Sequence, residues 1–245
     1  MKRNLALEVA YDGTNYHGYQ DQPGLITVEG TLKRALEATF LQEIQINSAG
    51  RTDKGVHSLG QVVNFEVSTT IDLGNLPRVI NYHLPADVSV LSAKEVEEDF
   101  HARFSAKAKL YRYVIYNGRY RNPIYHHRAC FVHFHLDEKK MEEALNDLPG
   151  LRDFGVFMGR HAVVKDTYRN LYRVDIKRKK DLIIIHFYGK SFLKNMIRRI
   201  MGTTIEIGRG LKSPDTLKKA LESQDKTYLG PTAPAEGLYL MRVDY

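Results

Sequence analysis

The residues best suited to chemistry lie in the run Gly50-Arg51-Thr52-Asp53-Lys54-Gly55-Val56-His57, where one carboxylate stands between two cations and two glycines. Cations beside a carboxylate favour its ionised form, the form that attacks an electrophile or takes a proton. Glycines permit tight or left-handed turns. An ordinary tight turn uses neutral Asn-Gly or Asp-Gly, whereas this loop looks built to present Asp53. The competing reading makes Asp53 a turn carboxylate that caps its own loop.

Two further groups are candidates to serve such a carboxylate. From Phe192 to about Ile207, the stripe Leu193, Met196, Ile197, Ile200 and Met201 has helical spacing. At about 100° per residue, Arg198 falls on the flank of that stripe and Arg199 nearly opposite it. Arg198 is placed to turn inward toward a carboxylate, or else to snorkel from the boundary. Arg199 is expected to face solvent or a phosphate. On the run Leu110-Tyr-Arg-Tyr-Val-Ile-Tyr116, Tyr111 follows Lys107 and Lys109. Rings that alternate with cations suit nucleic acid, because bases stack on rings and phosphates meet Lys or Arg. Strand tyrosines also simply pack a sheet, and at least one of Tyr111, Tyr113 and Tyr116 is expected to do so.

Two other patterns fail as motifs. Gly189-Lys190-Ser191 resembles the end of a phosphate-binding loop, but the required earlier glycine is Ile184. His126, His127, Cys130, His133 and His135 have the composition of a metal site without a ligand spacing, and His133-Phe134-His135 is expected to be strand. No metal and no cofactor are expected.

The elements that must position these groups follow from periodicity. Leu5, Leu7, Val9 and Tyr11 share one strand face, and an aromatic polar loop, 12–20, follows. Helices are expected at Leu32–Phe40, Leu76–His83 and Met141–Leu148, the last started by Asp137 and stopped at Pro149-Gly150. A final helix is expected after a Ser213 cap with Pro214 at its first position. Strands are expected at 44–48, 61–67, 88–96, 106–116, 172–177, 182–188 and 238–243. Strands and helices mix without strict βαβ alternation, so the fold class is α+β with a largely antiparallel sheet. A lobe of 1–100 carrying Asp53 and a lobe of 101–245 carrying Tyr111 and Arg198 are expected.

The chain has 245 residues, 43% of them hydrophobic, which is enough for one large or two small cores. Its formal charge of +7 favours a polyanionic partner. One cysteine, Cys130, excludes a disulfide framework. No signal peptide or membrane span is visible, so a cytoplasmic setting is expected.

Together these residues resemble the TruA family of tRNA pseudouridine synthases. The resemblance runs from Ala10–Gln20 through Ser48–His57 and Gln61–Phe65, then Asp99–Ala106 with Tyr111-Arg-Tyr113. It closes on Ser191–Arg198, Gly202 and Pro234–Leu240. It implies a two-lobed pseudouridine synthase fold with helices flanking the sheet and a basic central cleft, working as a homodimer on tRNA. The implied reaction isomerises uridines of the anticodon stem-loop, just 3′ of the anticodon. By resemblance Asp53 is the essential carboxylate, adding to the base, attacking the sugar or removing a sugar proton. Arg198 would pair with it, Tyr111 would contact the uracil, and Arg51 would act as wedge or phosphate contact when the base leaves the stack. Lys107, Lys109, Lys194 and Arg199 are the candidate RNA-backbone contacts. Ser58 replaces a usual Ala and Arg152 a frequent His, departures expected to bear on which RNA is bound. The rival functions are the same chemistry on another tRNA site or on ribosomal RNA, a catalytically silent RNA-binding protein, and a metal-dependent hydrolase.

Overall fold

The computed structural model describes residues 2–159 and 164–245. They fall into two compact units, Met1–Lys107 with Tyr239–Tyr245, and Ala108–Leu238. The division thus comes after Lys107, not near residue 100, and the terminal strand joins the first unit. Strand pairing overrides chain order here, because Tyr239 and Leu240 pair with His57 and Ser58.

The first unit holds β1 (Lys2–Tyr11), α1 (Val28–Phe40), β2 (Asn47–Ser48), β3 (His57–Ser68), α2 (Leu76–Asn81) and β4 (Val88–Glu95). β1 runs antiparallel between β3 and β4, with Leu7 opposite Val63 and Ala93. The alternation of β1 turns Leu5, Leu7, Val9 and Tyr11 inward, all buried. Leu32, Leu36 and Phe40 of α1 pack into the same core with Phe65 and Ile80. Thr27 caps α1 by accepting the Gly30 N–H. The expected strand at 44–48 shrinks to Asn47–Ser48.

The second unit holds β5 (Ala108–Tyr116), β6 (Cys130–Phe131), α3 (Glu138–Asn146), β7 (Gly150–Asp153), β8 (Tyr168–Lys179), β9 (Leu182–Gly189), α4 (Met196–Gly208) and α5 (Thr216–Ser223). The terminal strand, β10 (Leu238–Asp244), belongs to the first unit from Tyr239 onward. β9 is antiparallel to β5 and β8, and β7 to β8, while β6 is parallel to β5. The class is α+β and the pairing largely antiparallel. Ile183, Ile185 and Phe187 of β9 and Met196, Ile200 and Met201 of α4 are buried. Asp137 caps α3 as expected, accepting from the N–H groups of Lys139 and Lys140.

Three local expectations are corrected. α4 starts at Met196, because Asn195 takes a left-handed conformation at φ 61° that no helix continues. α5 starts at Thr216, and the Ser213 carbonyl takes the Thr216 N–H in a turn that holds Pro214 ahead of the helix. Residues 133–135 are not strand.

Candidate active site

Asp53 sits on the connection from β2 to β3, which pair antiparallel through Asn47 and Asn64. The loop is pinned at its entry, where the buried Gln61 side chain donates to the Gly50 carbonyl at 2.6 Å. At its exit the Val56 N–H donates to the Asp53 carbonyl at 3.1 Å, and Gly55 at φ 78° closes the turn. Thr52 is buried between these ends. Its Oγ1 lies 2.8 Å from the Tyr11 hydroxyl, and its carbonyl accepts the Tyr19 N–H at 3.0 Å.

The aromatic loop after β1 braces the Asp53 loop, a role that the sequence pattern did not expose. Gly18, at φ 101°, lies so close that a Cβ there would stand 3.1 Å from the Thr52 carbonyl oxygen and 3.4 Å from the Lys54 nitrogen. A Cβ on Gly13 would stand 2.0 Å from the Val56 carbonyl oxygen. Two glycines therefore let one loop lie directly on the backbone of the other. Asp53 is half-buried, while Arg51 and Lys54 on either side are exposed. The backbone that carries Asp53 is held, and its flanking cations are left to solvent or ligand.

His57 ends the loop with its ring buried and stacked on Tyr239 at 4.7 Å. Its Nδ1 lies 3.1 Å from the Gly13 nitrogen and 3.0 Å from Asp12 Oδ1. Neutral imidazole accepts the Gly13 N–H at Nδ1, whereas imidazolium donates there to Asp12. Ser58, expected to bear on RNA choice, is buried; its Oγ donates to the Leu240 carbonyl and accepts the Gly60 N–H. It ties β3 to β10 inside the unit. Arg152 is exposed and donates to the Pro149 carbonyl.

Tyr111 and Arg198 belong to the second unit. Tyr111 is opposite Phe187 in the β5–β9 register, buried, and edge-on to Phe192 at 5.0 Å and 74°. Tyr113 is the tyrosine that packs: it is fully buried and its hydroxyl donates to the Pro234 carbonyl at 2.8 Å. Arg198 is half-buried at the start of α4. Its Nε donates to the Ala233 carbonyl and its Nη1 to Asn195 Oδ1, both at 2.9 Å. These two bonds fix the plane of the guanidinium, so it does not snorkel along the helix.

Arg199 differs from expectation. It is half-buried, and its Nη1 donates to the carbonyls of Val156 at 3.2 Å and Met158 at 2.8 Å. A helical wheel places only the Cβ, and the long arginine stem folds back onto neighbouring backbone. Lys107 and Lys194 are exposed and Lys109 is half-buried.

The histidine-rich segment does not gather into a metal site: among the described residues no three His, Cys, Asp or Glu side chains converge. His126 contacts His127, which faces Glu236 at 3.5 Å, and His133 contacts Phe134. Cys130 is buried, and that burial pushes its thiol up to about 11. A thiol held neutral is a poor metal ligand.

Residues 8–105 and 144–245, the segments that contain Asp53 and Arg198, match the model of the tRNA pseudouridine synthase family. The chain belongs to that family. It is 42% identical over 241 residues to the tRNA pseudouridine synthase A of Aliivibrio fischeri (strain MJ11), covering 98% of this chain and 92% of the relative. It is 39% identical over 246 residues to that of Geobacillus kaustophilus (strain HTA426), covering 100% and 95%. Among solved structures, a chain of a Cbf5-Nop10-Gar1 complex is 12% identical with a TM-score of 0.41, covering 97% of this chain and 58% of that one. No described helix of this family member is long and apolar enough to cross a membrane.

Proposed function

We propose that this chain isomerises uridine to pseudouridine in tRNA, with Asp53 as the essential carboxylate. The observation that carries the reading is the bracing of the Asp53 backbone: the Thr52 side chain is hydrogen-bonded to Tyr11, and Gly18 lies against the backbone from Thr52 to Lys54. A carboxylate on a backbone so braced, in a loop that leaves Arg51 exposed, is arranged for a ligand. Membership of the tRNA pseudouridine synthase family supports the reaction and the substrate class.

The reaction breaks the bond from ribose C1′ to uracil N1, turns the base, joins C1′ to C5 and releases the C5 proton. Atoms and electrons balance within the nucleotide apart from that proton, which exchanges with solvent. The chain must therefore supply three things. A carboxylate, Asp53, attacks the nucleotide or takes its sugar proton. A fixed cation, Arg198, orients that carboxylate. A ring, Tyr111, holds the detached base and takes part in the proton transfer at C5. The target base must leave the helical stack, and Arg51 fills the vacated position or holds a phosphate there. Lys107, Lys109 and Lys194 supply backbone contacts. The target uridines are those of the anticodon stem-loop just 3′ of the anticodon. The working form is a homodimer in the cytoplasm, with one tRNA lying across both subunits.

The test is incubation with tRNA transcripts carrying tritium at uracil C5. Release mapped to the anticodon stem-loop is expected. Absence of release from any RNA overturns the isomerase, and release from ribosomal RNA or from another tRNA position overturns the target.

A further inference from the structure

Residues 117–136 contain three arginines, four histidines and no aspartate or glutamate. They lie within the stretch 106–143 that separates the two segments matched to the family model. In the second unit they form a ribbon of rings. Tyr125 stacks on Tyr116 at 4.9 Å, Tyr116 on Phe131 at 6.0 Å, and the series continues through His133 to Phe134. Cations lie on this ribbon and beside it: Arg121 over Phe131 at 5.9 Å, Arg209 over Phe134 at 4.1 Å and Arg119 over Tyr120 at 5.2 Å. Tyr120 is 70% exposed and Phe134 47%. Glu236, facing His127, supplies an acidic group at its margin.

Large exposed rings are costly in water, and an arginine laid flat on a ring keeps edge N–H groups for an oxygen acceptor. Exposed rings alternating with guanidinium groups, on a stretch with no carboxylate of its own to repel a polyanion, match what unpaired nucleic acid requires: bases stack and phosphates meet cations. We propose that the ribbon from Arg119 to Phe134, with Arg209, is a second RNA-contact surface. It takes an unpaired segment of the tRNA other than the loop that carries the target uridine. The inference rests on the reading of tRNA as substrate.

Two double variants test it, both at exposed positions: Arg119→Ala with Arg121→Ala, and Tyr120→Ala with Phe134→Ala. Binding of full-length tRNA is measured between 50 and 200 mM salt, and single-turnover tritium release is measured at saturating tRNA. The arginine variant is expected to reduce the slope of log affinity against log salt by about one for every phosphate that is no longer neutralised. The aromatic variant is expected to weaken binding by roughly tenfold with the slope kept. Tritium release at saturation stays within about twofold of the parent in both, since neither pair touches the reacting atoms. Unchanged affinity and slope in both variants overturn the proposal. So does a variant that changes only the protein's own mass in light scattering, which would make the ribbon a contact between copies of the chain. Parent protein that binds tRNA but releases no tritium refutes the isomerase and leaves the ribbon to be judged by its own binding result.

Discussion

The hydroxyls of Tyr11 and Thr52 lie 2.8 Å apart in a buried pair directly beside Asp53. Removing the Tyr11 hydroxyl takes this partner from the buried Thr52 Oγ1, which costs about 1–3 kcal/mol. Tyr11→Phe is expected to lower the urea midpoint accordingly. It should also slow tritium release at saturating tRNA while tRNA affinity holds. Release unchanged in a destabilised variant would mean that the pair serves the fold alone.

Gly13 makes a steeper prediction. A methyl group 2.0 Å from the Val56 carbonyl oxygen forces one of two backbones to move. Gly13→Ala is expected to cost at least about 1–3 kcal/mol, and to slow release by up to roughly a hundredfold through displacement of the Asp53 loop. Equilibrium unfolding and single-turnover kinetics read the two effects separately.

Asp53→Asn keeps the shape of the side chain and removes its charge and basicity. Tritium release should vanish, and tRNA affinity should stay within about threefold because it rests on phosphate contacts. An equal loss of binding and release would deny Asp53 a role in the reaction.

Arg198 and Arg199 are neighbours with different hydrogen-bond partners. Arg199→Ala strands the carbonyls of Val156 and Met158, so a fall in thermal midpoint worth about 1–3 kcal/mol is expected. Its release rate at low temperature should remain within about threefold of the parent. Arg198→Ala is expected to lose about a hundredfold in rate under the same conditions. Similar rate losses in both would remove the orienting role from Arg198.

Burial pushes the Cys130 thiol up from 9.0 to about 11 and raises the Tyr113 hydroxyl as well. The unfolded chain therefore gives up these protons first as pH rises. The stability that the thiol contributes is complete below about pH 9 and drains away as pH climbs toward 11, while that of the Tyr113 hydroxyl is lost only at higher pH. Urea midpoints should decline over that interval, with a shallower decline in Cys130→Ala. Iodoacetamide should label the native protein slowly at pH 8 and the urea-unfolded protein quickly.

Much of the molecule was legible in the chain. The alternation in β1, the helical spacing of α1 and α4, and the Asp137 cap are local patterns, and local physics sets them. The loop holding Asp53 was legible for the same reason, as glycines and charges adjacent in sequence. The bracing of that loop was not, because Tyr11 and Thr52 are 41 positions apart and nothing in either neighbourhood announces the pair. Arg199 was misplaced because periodicity fixes where a side chain starts and not where a long one ends.

The amino-acid sequence by itself determined the α+β class, the period of each main element, the basic balance and the identity of the candidate carboxylate. Only the tertiary structure decided that β10 joins the first unit, that Ser58 is buried, that two glycines seat the aromatic loop on the Asp53 backbone, and that Tyr125, Tyr116, Phe131, His133 and Phe134 form a ribbon of rings. The reason is physical. Propensity and periodicity act over a few residues, whereas strand pairing, close backbone approach and buried hydrogen bonds join segments that meet only when the core is complete.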